Sequence, residues 1–174
     1  ALAFGNAVVF KPANLVPASA WALTEIISRQ NLPAGTFNLV TGSGREAGEA
    51  LITSPHVPAI TFTGSLEVGR RVASATAANL VKCQLEMGSK NARIVLDDAD
   101  LGLAVEAAFA GAYSGSGQKC TASSRLIVVD AVHDEFVQKL TAKLSSATVG
   151  PALAENTVIG PIASKSQLEA NQCW

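Results

Sequence analysis

Short apolar runs alternate with helix-length amphipathic stretches along this chain, and that rhythm restricts the fold more than any other feature. Ala7-Val8-Val9-Phe10 is a continuous apolar run of the kind buried in parallel strands. From Pro17 to Gln30, Ala20, Leu23, Ile26 and Ile27 recur at helical spacing. A turn cluster, Asn31-Leu32-Pro33-Ala34-Gly35, precedes a second strand at residues 37–40. Gly42-Ser43-Gly44 opens a helix through Ile52, and residues 59–62 form a third strand. Gly64-Ser65 leads into a helix to about Asn79, and Val81 to Glu86 is a fourth strand. After Met87-Gly88-Ser89 the pattern restarts, with a strand at 92–96, an Ala-rich helix at 100–113, a strand at 125–129 and a helix at 132–144. The tail from Gly150 reads as loop. This order predicts an α/β fold, a parallel sheet with helices on both faces, and a domain boundary near Gly88.

Composition removes several function classes. At 174 residues and 48% apolar the chain can bury a core, and the 30 alanines favour closely packed helices. The 13 basic and 14 acidic side chains give a net charge of −1, so there is no basic excess to neutralise nucleic-acid phosphates. No apolar run approaches the length of a membrane-spanning helix. Cys83, Cys120 and Cys173 are too few for a disulfide framework and lack metal-ligand spacing, with only His56 and His133 to supplement them. No metal site and a reducing, cytoplasmic setting are the expectation. Both histidines read as structural, so no Cys–His dyad is assigned. The chain lacks an initiating Met and enters its first strand almost at once, so it is expected to be cut from something longer.

Four places carry candidate chemistry. Cys120 lies between Gly115-Ser116-Gly117-Gln118-Lys119 and Thr121-Ala122-Ser123-Ser124. Small neighbours admit a substrate, and a nearby cation or helix N-terminus favours the nucleophilic thiolate. The local pattern equally allows a small buried residue. Cys83, among alternating apolar strand neighbours, is expected to react slowly with alkylating agents. Glu86 closes an apolar strand, where α/β sheets place ligands, and can act as a general base. Taken alone, it reads rather as a solvated charge paired with Lys82 or Lys90. The segments from Gly64 and Ser65 to Gly69, and from Gly42 to Gly48, sit at strand-to-helix junctions, where unpaired N–H groups can face a phosphate; ordinary turn glycines fit them as well. Lys11, which ends the first strand before Pro12-Ala13-Asn14, can reach ribose hydroxyls or a phosphate, or remain a surface lysine.

Together these segments resemble the aldehyde dehydrogenase superfamily. The likeness runs in order through Val9-Phe10-Lys11-Pro12-Ala13, Phe62-Thr63-Gly64-Ser65, Leu85-Glu86-Met87-Gly88-Ser89-Lys90-Asn91 and Gly117-Gln118-Lys119-Cys120-Thr121-Ala122. The 34 residues from Glu86 to Cys120 also match the family's interval. The resemblance implies part of a Rossmann-like NAD(P)-binding domain over residues 1–88 and the beginning of an α/β catalytic domain over 89–174.

By that resemblance, Cys120 attacks an aldehyde carbonyl, a hydride leaves for the nicotinamide, and Glu86 activates the water that hydrolyses the resulting thioester to a carboxylic acid. Lys11 and Asn14 would lie near the adenosine ribose, Gly44 near the adenine and Ser65 near the pyrophosphate, with Gly64 and Gly69 bracketing the helix start. Many NAD-preferring members carry a carboxylate where this chain has Asn14, so NADP is admissible alongside NAD. Met87-Gly88-Ser89 and the run from Cys120 to Arg125 look most like the branch that oxidises dicarboxylic semialdehydes such as α-ketoglutarate semialdehyde. The implied partners are a small aldehyde and, at full length, further copies of the chain. Two rivals remain: a thiol hydrolase or acyltransferase using Cys120 without nicotinamide, and a non-catalytic piece that binds nucleotide or subunits only. Taken alone, the chain is expected to be inactive, because the Asn side chain that helps the family stabilise the oxyanion lies in an earlier segment.

Overall fold

The computed structural model describes residues 1–173. They divide into two units, Ala1–Glu86 and a second that begins at Met87. The chain is α/β, with strands and helices in alternation.

In the first unit, β1 (Val8–Phe10) pairs in parallel with β2 (Phe37–Leu39), Val8 opposite Phe37 and Phe10 opposite Leu39. The helix between them, α1 (Pro17–Ser28), supplies the crossover that a parallel pair requires. Its Pro sits at the first helical position, where the missing N–H costs no hydrogen bond. The Phe10 and Phe37 rings lie 5.9 Å apart, and the Asn38 amide bonds Val8 O at 3.1 Å and Gly35 O at 2.7 Å, which fixes the turn before β2.

A π-helical turn at Gly44–Gly48 runs into α2 (Glu49–Thr53). β3 (Ala59–Gly64) then neighbours β4 (Lys82–Met87), with α3 (Leu66–Ala78) between them in sequence. Gly69, Val72 and Thr76, spaced three and four apart, form the buried stripe of α3. The Thr76 hydroxyl bonds Val72 O at 2.9 Å, so the one buried polar side chain among the described residues is satisfied. The single doubly wound sheet expected for this half appears instead as two strand pairs, β1–β2 and β3–β4. Strands of three residues offer few ladder bonds with which to extend a sheet.

In the second unit, β5 (Asn91–Val95) pairs in parallel with β6 (Ser123–Val128). Val95 is buried with Val105 and Ala108 of α4 (Leu101–Tyr113) and Phe136 and Leu140 of α5 (Asp130–Ser146). Leu126 and Val128 join this core, while Ile94 and Ile127 point the other way and are exposed, as the period-two geometry of strands requires. Asp100 caps α4 by accepting from Leu103 N at 3.0 Å. Lys143 ties α5 to α4 through Glu106 at 2.5 Å, above the Phe109 ring.

The tail from Gly150 is not all loop. It makes a bridge between Val149 and Ile159 and ends in α6 (Lys165–Gln172), which Ser164 caps. This helix carries no apolar stripe and has no buried residue, so periodicity could not reveal it. Phe136 is the largest fully buried side chain, at 1% exposure. Phe136→Ala should therefore lower unfolding free energy by about 3–5 kcal/mol, measured by urea denaturation.

Candidate active site

Lys11 and Asn14 follow the carboxyl end of β1. The Lys11 ammonium donates to Pro12 O at 2.6 Å and to Asn14 Oδ1 at 3.5 Å, so the two residues form one polar corner. Beside them is a depression of about 190 Å³ lined by Pro12, Ala13, Asn14, Pro17, Thr41 and Gly42. It lies past the carboxyl ends of β1 and β2, the edge at which open α/β sheets receive ligands. Gly44 opens the π-helical turn, and a Cβ there would meet nothing within 4 Å. Ser43 caps this turn, its hydroxyl accepting from Glu46 N at 3.1 Å and donating to Glu46 Oε2 at 3.0 Å.

Gly64 and Ser65 make the passage from β3 into α3. A Cβ on Gly64 would fall 2.4 Å from the Phe62 ring, so the position admits only glycine without moving that ring. Ser65 accepts from Val68 N at 3.3 Å and so uses one of the free N–H groups of the helix start. Gly69 is buried on the inner stripe of α3. It lies one turn into the helix, while Gly64 and Ser65 stand at the helix start.

Glu86 lies at the end of β4, exposed, and its carboxylate accepts from Gln84 at 3.2 Å on the same strand face. Cys83 is exposed as well, so the alternating apolar pattern of β4 does not cover it. Among the described residues β4 has a single strand neighbour, and its first three residues, Lys82, Cys83 and Gln84, are uncovered on both faces.

Cys120 belongs to the second unit. It is exposed, in a turn closed by Ala122 N donating to Lys119 O at 3.1 Å. The turn feeds β6, so the thiol is before a strand and not at a helix N-terminus. The approach to it is unusual. Gly115, Ser116 and Gly117 have φ of 60°, 60° and 69°, three consecutive left-handed residues. Two side chains hold this contorted stretch to the tail. Ser116 donates to Gly160 O at 2.7 Å, while Gln118 donates to Pro161 O at 3.3 Å and accepts from Ala163 N at 2.9 Å. On the far side, Asn91 donates to Cys120 O at 2.8 Å and Ala122 O at 3.1 Å. Asn91, Ser116 and Gln118 all fall in the runs around Glu86 and Cys120, but no local pattern marks a task for any of them. The density of glycine before Cys120 was the available sign of left-handed backbone.

His56 and His133 are exposed, His133 bonded to Asp134 at 2.9 Å. Among the described residues no group of three or more His, Cys, Asp or Glu is placed to hold a metal ion. No helix among them is long and apolar enough to cross a membrane.

A sequence model of the aldehyde dehydrogenase family matches residues 1–174. The chain belongs to the aldehyde dehydrogenase family. It is 46% identical over 169 residues to the alpha-ketoglutaric semialdehyde dehydrogenase of Bacillus subtilis, covering 97% of this chain and 35% of that protein. It is 43% identical over 162 residues to the NADP(+) succinate-semialdehyde dehydrogenase of Escherichia coli, covering 93% of this chain and 34% of the relative. Among solved structures, the betaine aldehyde dehydrogenase of Staphylococcus aureus in complex with NAD+ superposes with a TM-score of 0.95 at 33% identity, covering 99% of this chain and 35% of that one. The chain thus spans about a third of the length of these aldehyde dehydrogenases.

The glycines of the site make opposite demands. Gly117→Ala should destabilise the protein by at least about 1 kcal/mol, the cost of a left-handed side chain, because its new Cβ also meets Ala112 O at 2.7 Å. Gly44→Ala, in open space, should stay within about 0.5 kcal/mol of the parent. Denaturation midpoints of the two variants check the contrast.

Proposed function

We propose that this chain carries the nucleophile, the general base and part of the nucleotide site of an NAD(P)-dependent aldehyde dehydrogenase of the relatives' length, oxidising an aldehyde to a carboxylic acid. The observation that carries the reading is Cys120, an exposed thiol on a turn held by hydrogen bonds from both sides, inside a chain matched end to end by the family.

In this reading the first unit binds nucleotide and the second begins the catalytic domain. The polar corner of Lys11 and Asn14, beside an open depression, suits the hydroxyls of a ribose; Gly44 leaves space for the adenine beyond it. Gly64 and Ser65, at the start of α3, bring backbone close to a pyrophosphate, and the helix dipole favours its charge. Bound NAD(P)+ would supply the hydride acceptor.

The chain's own residues do the rest. The Cys120 thiolate adds to the aldehyde carbon, and after oxidation holds the acyl group as a thioester, dividing one difficult oxidation into two easier steps. The Lys119 carbonyl is turned inward to Ala122 N, and N–H and C=O point oppositely in a trans peptide, so the Cys120 N–H faces outward. It is thereby free to donate to the oxyanion that forms on addition. Glu86 takes a proton from the water that attacks the thioester.

The substrate class is the semialdehyde of a dicarboxylic acid, an aldehyde that carries one carboxylate at its far end. Supporting it are the names of the B. subtilis and E. coli relatives and the run from Cys120 to Arg125. Such substrates call for a cationic clamp. Either nucleotide is admitted, since position 14 is a neutral amide facing an ammonium and carries no charge to repel a 2′-phosphate.

The decisive test is turnover in the enzyme that contains this chain. Cys120→Ser should abolish NAD(P)H formation while nucleotide still binds, and retained turnover would remove the assignment. Glu86→Gln should keep a rapid burst of reduced nucleotide and slow the steady state that follows, because only thioester hydrolysis needs the base. Asn14→Glu should shift the NADP/NAD ratio of kcat/KM by about tenfold toward NAD, the effect expected of one nearby like charge.

A further inference from the structure

A nucleophile on a loop has to be held almost as firmly as one on a helix, since a displacement of about 1 Å costs on the order of 10²-fold in rate. The turn bearing Cys120 has little side-chain packing to hold it: its neighbours are Thr121, Ala122, Ser123 and Ser124, and Thr121 and Ser124 are exposed. Hydrogen bonds do the holding instead, and they fall on both peptide planes that flank the cysteine. The 119–120 plane is fixed by Ala122 N donating to Lys119 O at 3.1 Å. The 120–121 plane is fixed by Asn91 Nδ2 donating to Cys120 O at 2.8 Å.

Asn91 is fully committed to this turn. A side-chain amide has two N–H donors, and here the second reaches Ala122 O at 3.1 Å. Its acceptor, Oδ1, takes the Ser89 hydroxyl at 3.1 Å, so the amide is oriented from behind. The strand ladder could not provide these bonds. Asn91 opposes Ser123 but Ala92 opposes Arg125, so Ser124 is an extra residue and the ladder breaks at the point where the turn enters β6. A side chain from the first residue of β5 replaces the missing backbone partner.

We infer that Asn91 is the positioning residue of the reactive cysteine: by clamping the 120–121 peptide it sets the direction in which the Cys120 side chain leaves the backbone. The inference rests on the proposed role of Cys120, and Asn91 acts through that residue. Asn91→Ala removes both donors. Asn91→Asp keeps the shape and turns a carboxylate oxygen toward two carbonyl oxygens. Ser89→Ala is the mild variant, removing only the bond that orients the amide.

The experiment measures three quantities in the enzyme that contains this chain: kcat per burst-titrated site, KM for aldehyde and nucleotide, and the iodoacetamide rate at Cys120, with Cys83 and Cys173 as internal references. Both Asn91 variants should lose about 10- to 100-fold in kcat per titrated site, while KM values stay within about threefold, on the scale of uniform-binding changes. The Cys120 labelling rate should shift by at least threefold with Cys83 and Cys173 unchanged, and Ser89→Ala should move both readouts in the same direction by less. Unchanged kcat per site in both Asn91 variants would overturn the inference. So would labelling of all three cysteines rising together, the mark of general loosening. If Cys120→Ser were fully active, the proposed function would fail, and the labelling ratio, which needs no turnover, would still decide whether Asn91 holds the turn.

Discussion

The parallel pairing of β5 with β6 is the constraint on which the candidate catalytic turn depends. Parallel strands run in the same direction, so the start of β5 lies beside the start of β6, and whatever precedes β6 is brought up to Asn91. The pair keeps its place because Val95, Leu126 and Val128 are packed under Val105, Ala108, Phe136 and Leu140. Apolar burial at one end of the strands thus supports polar precision at the other. The bulge at Ser124 keeps the ladder from closing over the turn and leaves two carbonyls for a side chain to claim.

The approach to Cys120 shows a second use of backbone hydrogen bonding. Of three successive left-handed residues the two glycines adopt that backbone freely, while Ser116 stores strain of the kind that survives only where surroundings over-determine it. Those surroundings are the carbonyls and one N–H of residues 160–163, reached by Ser116 and Gln118. Ser116 is the costly member, since it has a Cβ, and it is also the one with the shortest of these bonds, 2.7 Å to Gly160 O. The tail, which has no apolar stripe of its own, thereby gains a place in the unit.

In the first unit the recurring motif is a strand that ends where a capped helix begins. Ser43 and Ser65 each close one N–H of such a start, and Gly64 keeps the chain clear of the Phe62 ring. Exposed ion pairs decorate the helices: Arg71 pairs with Glu49 between α3 and α2, and Arg29, just past α1, with Glu25. Trp21 and Ile26 of α1 and Val9 of β1 remain exposed, an unusual amount of apolar surface for strands and helices in this order, since parallel sheets are ordinarily covered on both faces.

Strand and helix order and the helix starts at Ser43, Ser65 and Asp100 were legible in the amino-acid sequence, because periodicity, caps and small-residue turns are local properties; Cys120 and Glu86 stood out there as candidates only. The family resemblance was legible for the same reason: its motifs are contiguous runs such as Phe62-Thr63-Gly64-Ser65. Tertiary structure alone decided the exposure of Cys83, which depends on how many neighbours β4 acquires and not on its alternating pattern. It alone decided that α6 is a helix, because a polar stretch carries no period to read. It alone decided the task of Asn91, 29 residues from Cys120 in sequence and 2.8 Å from its carbonyl in space. A hydrogen bond between distant residues is set by register and by the bulge that interrupts it, and neither leaves a mark on the residues themselves.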